Sequence, residues 1–227
     1  MITTSVVITN YNNERYLGRA IRSCLKQSLP RTDYEIIVVD DCSTDNSRDV
    51  INSFGSQVVP CFLEKNVGVA EASNEGIRRA VGKYIIRVDA DDYINENSLL
   101  FLEEVLNWNP EIGFVYTDHL RVDKDEKVIE RVNLNTLDLL FRHGAGIMFR
   151  KTYLESIGLY NPALKNAEDF DLLKRYITNF NGYHLRIPLY RYRRHDTNMT
   201  NDEAERIVWE KLADDTRNQG QNSRILL

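Results

Sequence analysis

Four short apolar runs, at residues 5–9 (SVVIT), 35–40 (EIIVVD), 58–63 and 83–88 (KYIIRV), alternate with stretches of helical spacing through the first half of the chain. The order β-α-β-α-β-α-β leaves few folds available. It predicts an open, mostly parallel sheet with helices packed on both faces. The run at 35–40 is almost continuously apolar, as expected for a strand covered on both sides. Between the runs, Tyr16, Leu17, Ala20, Ile21 and Leu25 follow helical spacing, and Pro30 stops the first helix. A second helix reaches about Phe54, with Ser43 or Thr44 as its cap. A third covers 69–81, and a fourth covers 97–106 before Pro110. Sheets of this kind hold ligands at the carboxyl ends of their strands. The turn-forming cluster at 10–13 and each acidic cluster of the first half fall at such ends.

The second half reads differently. Residues 112–122 and 127–132 predict an antiparallel hairpin around Asp123-Lys124-Asp125-Glu126, 146–150 a short strand, and 151–156 and 168–178 two helices. There is no internal repeat and no linker. The net charge of −5 argues against a nucleic-acid partner, whose footprint is a basic face. It also means that an anionic substrate needs a metal or a few placed cations. No apolar run has the length of a membrane span, and the N-terminus has no basic region of the signal-peptide kind. The expectation is therefore a cytoplasmic protein, with peripheral membrane association left open. Cys24, Cys42 and Cys61 have no zinc-ligand spacing and read as small apolar residues in a reducing compartment.

The densest chemistry is Asp89-Ala90-Asp91-Asp92, directly after the fourth strand. Aspartate is common in strand-ending turns, so one alone means little. Three together repel unless a cation sits among them. Asp89 and Asp91 can both reach one hard divalent ion, which prefers oxygen ligands and keeps positions open for phosphate.

The string Tyr84-Ile-Ile-Arg-Val-Asp-Ala-Asp-Asp92 resembles the D-x-D region of the family-2 inverting glycosyltransferases of the GT-A fold. Val6-Val-Ile-Thr-Asn-Tyr-Asn12 is similar to that family's first strand and donor loop, and Val38-Val-Asp-Asp-Cys-Ser-Thr-Asp45 to its second-strand motif. Asn66-Val-Gly-Val-Ala70 with Asn74-Glu-Gly76, and Glu168-Asp169 with Asp171-Leu172, continue the likeness in order over about the first 200 residues. The resemblance implies an α/β GT-A domain over 1–200. Residues 1–122 form its nucleotide-sugar-binding half, and 123–200 its half for acceptor and catalytic base. Residues 201–227 follow as a helix and flexible tail.

The implied reaction is inverting transfer of a hexosyl or N-acetylhexosaminyl group from a nucleotide-sugar, usually a UDP-sugar, to a glycan or lipid-linked acceptor. Thr9, Tyr11 and Asp41 would hold the base, Asp41 accepting its N3–H, while Asn66 and Gly68 line the nucleotide site. Asp89 would meet the ribose or the outer shell of a Mn²⁺ or Mg²⁺ ion, Asp91 would ligate that ion directly, and His195 would complete the metal or diphosphate site. Asp169, beside Glu168, would be the general base; one displacement needs no covalent nucleophile. On the residues alone, the acidic pair is equally a helix first turn capped by Asn166.

The family usually places an Arg where this chain has Ser73, so a cation near the diphosphate is either missing here or supplied by Lys65, Arg78 or Arg87. Gly144-Ala145-Gly146 is either an ordinary turn or a loop lining the sugar or acceptor. Trp108 and Trp209 read as helix core, and His119, His143 and His184 as surface or capping residues. A sugar nucleotidyltransferase is disfavoured because the loop from Thr9 to Arg15 has no glycine. A dehydrogenase lacks its G-x-G-x-x-G. A nucleotide-sugar-binding protein without transfer would have little use for Glu168-Asp169.

Overall fold

The computed structural model describes residues 1–136, 140, 141, 144, 146–164, 167–196 and 198, with 207, 211 and the backbone of 225 and 226. The candidate cap Asn166, together with His143, Ala145, Trp209 and nearly all of the tail, lies outside the described residues.

The alternation of the first half builds β1 (Thr4–Asn10), α1 (Glu14–Leu25), β2 (Tyr34–Asp40), α2 (Ser47–Asn52), β3 (Val59–Phe62), α3 (Val69–Arg79) and β4 (Tyr84–Asp89). Then come β5 (Tyr93–Ile94), α4 (Ser98–Trp108), β6 (Ile112–Val122), β7 (Val128–Val132), β8 (Met148–Arg150), α5 (Lys151–Ser156), α6 (Glu168–Ile177), β9 (Asn181–Arg193) and β10 (Ile225–Leu226). One sheet runs β10-β9-β6-β8-β4-β1-β2-β3, with β5 on β9 and β7 on β6. The strands β3, β2, β1 and β4 are mutually parallel, and β8 enters antiparallel between β4 and β6. The expected mixed α/β architecture is thus present.

Pleating sends alternate residues of each strand to opposite faces. Val6, Ile8, Ile36, Val38, Ile86 and Val88 form one core with Leu17, Ile21, Leu99 and Leu102 of α1 and α4. Val7, Ile37, Val39 and Ile85 form the other with Ile77, Leu172, Leu173 and Tyr176 of α3 and α6. Helix α3 sits close because Gly76 faces β1: a Cβ there would lie 2.3 Å from Val7 Cγ1. The register sets Asn10 beside Asp40 and Thr9 beside Asp89. Three sequence-distant motifs therefore end in one row at the carboxyl edge.

Several expectations need correction. Helix α2 starts at Ser47 with Asn46 at its cap position, so neither Ser43 nor Thr44 caps it. Instead the Ser43 hydroxyl accepts from the Asn12 backbone N–H at 2.9 Å, and the Thr44 backbone N–H donates to the Asn12 side chain at 2.8 Å. Trp108 is 79% exposed rather than packed in the core, its indole N–H donating to Glu104 at 2.7 Å. His119 and His184 are buried rather than superficial. The His184 ring stacks on Tyr116 at 4.7 Å and bonds to buried Asp118 at 2.8 Å. The predicted hairpin forms as β6 and β7. The thirteen-residue β9, parallel to β6, had no counterpart in the sequence reading.

Candidate active site

The loops after β1 and β2 are locked together at two helix N-termini. Asp45 accepts the first backbone N–H of α1, from Glu14, at 2.9 Å and that of α2, from Ser47, at 3.0 Å. Glu14 in turn accepts the Asn46 backbone N–H at 2.6 Å and its side-chain amide at 2.7 Å. A carboxylate at a helix start satisfies donors that the helix cannot, and favours its dipole.

Buried Asp40 takes the Asn10 amide at 2.8 Å, Arg48 Nε at 3.0 Å and the Ser43 N–H at 3.2 Å. Asp41 takes the N–H groups of Val67 and Gly68 at 2.7 and 2.8 Å, while the Asn66 side chain donates to its carbonyl at 3.3 Å. Asp41, Asn66 and Gly68 are thus gathered into one cluster. A carboxylate has about four acceptor positions, so two remain on Asp41. Thr9 is buried nearby in the strand row, and the Tyr11 ring is half exposed at the rim.

The loop after β4 is held by the far end of β9. Tyr190 Oη accepts the Asp89 backbone N–H at 3.3 Å and donates to Asp92 at 2.8 Å. The Arg193 backbone N–H donates to Asp92 at 2.8 Å, and its Nε to the Asp91 carbonyl at 2.8 Å. Burial, then the charges of Asp91 and Asp89, push the Asp92 carboxyl well up, which marks it as framework.

Asp91 Oδ2 lies 3.0 Å from His195 Nε2 and 3.3 Å from the Asn198 amide nitrogen. His195 stacks on Tyr16 at 4.8 Å. Among the described residues no group of three or more His, Cys, Asp or Glu side chains is gathered for a metal. The Asp91–His195 pair still fits a divalent ion as a partial site. Neighbouring ligands at about 2.1 Å from an octahedral cation lie about 3 Å apart, and such an ion commonly takes its other oxygens from phosphate and water.

Asp89 is turned the other way, its Oδ1 3.2 Å from Arg87 Nε. Burial raises its pKa to about 6 against the pull of Arg87. Arg87 is itself buried, and reaches Asp169 Oδ2 at 2.6 Å and Glu168 Oε1 at 3.4 Å with its guanidinium 5.3 Å from the Tyr160 ring centre. Burial, then the Asp169 charge, pushes Glu168 up to about 7. Both acids stand in the first turn of α6, and Gly144 packs on Asp169 so closely that a Cβ would lie 2.2 Å from its Cβ.

Of the three cations considered in place of an Arg at position 73, Arg78 pairs with Glu71 and Glu75, and Lys65 is exposed. Ser73 is buried with its hydroxyl on the Val69 carbonyl at 2.7 Å. Gly146 has φ 74 and donates its N–H to the Arg87 carbonyl at 3.1 Å. Sequence reasoning missed Tyr190 and Asn198, and read Arg193 only as a neighbour of His195, without its hold on the Asp91–Asp92 loop. A period-two pattern of Tyr183, Leu185, Ile187 and Leu189 could have revealed the strand that carries Tyr190 and Arg193.

The family profile described as Glycosyl transferase family 2 matches residues 5–158. An uncharacterized glycosyltransferase of Nostoc sp. is 40% identical over 134 residues, 57% of this chain and 40% of the relative. The poly(ribitol-phosphate) beta-N-acetylglucosaminyltransferase TarS of Staphylococcus aureus is 33% identical over 179 residues, 74% of this chain and 31% of TarS. The matched regions are therefore well under half of these relatives. The crystal structure of S. aureus TarS with UDP-GlcNAc superposes with a TM-score of 0.81 at 21% identity, over 98% of this chain and 68% of that one. The Pyrobaculum calidifontis mannosyltransferase with GDP-Man and Mn²⁺ gives 0.75 at 16% identity, over 97% and 65%. At these identities the superpositions establish the shared fold.

Proposed function

Because the chain belongs to glycosyl transferase family 2, we propose that it transfers a sugar from a UDP-sugar to a hydroxyl of a glycan or lipid-linked acceptor, with inversion at the anomeric carbon. The observation that carries this reading is the convergence at the carboxyl edge: Thr9 is in register with Asp89, Asp41 follows β2, and Arg87 joins Asp89 to Asp169.

In this reading residues 1–122 bind the donor and 123–200 supply acceptor contacts and the base. Thr9, Tyr11 and Asp41 take the uracil, the free acceptor positions of Asp41 receiving its N3–H. Asn66 and Gly68 keep Asp41 oriented, and Asp89 meets the ribose. Asp91 and His195 would hold a Mn²⁺ or Mg²⁺ ion, with the Asn198 amide against both side chains. When bound, that ion supplies Lewis-acid stabilisation of the departing diphosphate. Asp169 accepts the proton of the acceptor hydroxyl as that oxygen attacks the anomeric carbon and the bond to the nucleoside diphosphate breaks. Glu168, raised to about 7 by burial and by the Asp169 charge, carries a proton for a substantial part of the time near neutrality, which eases the repulsion between the two acids. The donor named for TarS makes UDP-GlcNAc the first candidate, and N-acetylhexosaminyl transfer the first reaction to assay. We place the reaction in the cytoplasm, at or near a membrane surface that presents the acceptor.

The test is UDP release from UDP-GlcNAc with Mn²⁺, with and without EDTA. Asp91→Ala and Asp169→Ala should each remove turnover, and Asp91→Ala should also weaken metal-dependent UDP binding. Near-native rates in both variants would refute the assignment.

A further inference from the structure

Arg87 joins Asp89 to Asp169, yet the transfer as described gives it no part. Arg87 lies on β4, with Ile85, Ile86 and Val88 around it in the strand, and its side chain is only 6% exposed. An arginine costs much to bury unless every arm finds a partner of opposite charge. Here the arms divide unequally. Nη2 makes a short bond to Asp169 at 2.6 Å, Nη1 a long one to Glu168 at 3.4 Å, and Nε faces Asp89 Oδ1 at 3.2 Å. Nε and Asp89 Oδ1 are both buried, and neither makes an aligned hydrogen bond. The tight arm holds the base, and the loose arm faces the donor side.

We infer that Arg87 is the positioning residue of the transfer step, fixing the Asp169 carboxylate between its guanidinium and Gly144 and linking that carboxylate to Asp89. This rests on Asp169 being the base. Three features support it over a direct diphosphate contact. The guanidinium nitrogens are all turned to carboxylates. The side chain is almost wholly enclosed, and its flat face lies by the Tyr160 ring. Gly144 packs against Asp169 Cβ, Cγ and Oδ1, the oxygen that Arg87 leaves free, so the carboxylate has little room to swing once Oδ2 is bonded. A donor that draws Asp89 to its ribose breaks only the misaligned arm and leaves the Asp169 arm intact.

The experiment compares Arg87→Ala, Arg87→Lys and Asp169→Asn in the full chain, measuring kcat and donor KM for UDP release from UDP-GlcNAc, UDP affinity by calorimetry, and the thermal midpoint. Arg87→Ala should lower kcat about 100-fold, the effect of a misplacement of roughly 1 Å, with UDP affinity within about threefold of the parent. Added guanidinium ion should restore about tenfold of that loss, with no effect on Asp169→Asn. Arg87→Lys, which keeps the charge and loses the fork, should fall between, and carries the test if the alanine variant does not fold. A weakened UDP affinity with kcat unchanged at saturation would make Arg87 a donor contact and overturn the inference. So would a lowered kcat that guanidinium cannot rescue alongside a lowered thermal midpoint. If Asp169→Asn is inactive while Arg87→Ala is native, this inference fails and the base assignment survives. If Asp169→Asn is native, the base assignment has failed first.

Discussion

Gly144→Ala is the sharpest probe of how Asp169 is held. The added Cβ would sit 2.2 Å from both Cβ and Cγ of Asp169. Ordinary contact begins near 3.4 Å, so the two groups must part by about 1.2 Å. If half of that movement falls on the carboxylate, the bond to Arg87, already short at 2.6 Å, cannot absorb it by compression, so the carboxylate must swing or the guanidinium must give way. A misplacement of this order in a reacting group lowers kcat about 100-fold, equivalent to about 2.7 kcal/mol in the barrier. Overpacking should also cost about 1–3 kcal/mol of stability. Steady-state UDP release from UDP-GlcNAc gives the first quantity, urea unfolding the second, and calorimetry checks that UDP affinity holds. A variant with native kcat, whatever its stability, would refute the claim that Gly144 and Arg87 together fix the base.

Asp41→Ala should strand the Val67 and Gly68 N–H groups at about 1–3 kcal/mol each, visible in urea unfolding, and weaken UDP binding as well. An unchanged midpoint would mean that water replaces the carboxylate at no cost. His119 gives a pH prediction: burial, then the Arg121 charge, pushes it down to about 4 from 6.5. Between those values the unfolded chain holds a proton that the folded one lacks, so stability falls as pH drops through the window, by up to about 1.4 kcal/mol per unit. Glu168, raised to about 7, acts with the opposite sign over an overlapping range, so the parent's own curve is a partial cancellation. The difference between His119→Gln and the parent isolates the first slope, and parallel pH profiles of the two would rule it out.

The parallel half was readable because its strands are buried on both faces. Seven consecutive residues of β1 are buried, and such runs leave little room for another assignment. The position of Asp89 was readable for the same reason, since a strand that ends abruptly in acids points them at the carboxyl edge. Strand β9 was hidden by Pro188 and by the arginines of 191–194, which look like a solvent-exposed basic tract. In the fold Arg193 is buried against Asp92 and the hairpin turn, pairing with Glu126 at 3.3 Å. Trp108 misled in the opposite direction: an aromatic within a helical pattern reads as core, yet it falls on the outer side of the last turn of α4. Arg87 could be named as a cation near the diphosphate, but its partners could not be known, because Glu168 and Asp169 lie 81 and 82 residues later.

The hold of β9 on the Asp91–Asp92 loop also sets a timetable for synthesis. The donor-side motifs of the first half have been translated by Asp92, but Tyr190 and Arg193 come 98 and 101 residues later, and Asn198 follows Asp91 by 107. At ordinary elongation rates of about 5–20 residues per second, the acidic loop waits roughly 5–20 s on the ribosome for the residues that shape it. A nascent chain stalled before Tyr190 carries the first-half donor motifs without this clamp and without His195, and should capture a UDP-sugar only after β9 and the residues that follow it to Asn198 have been made.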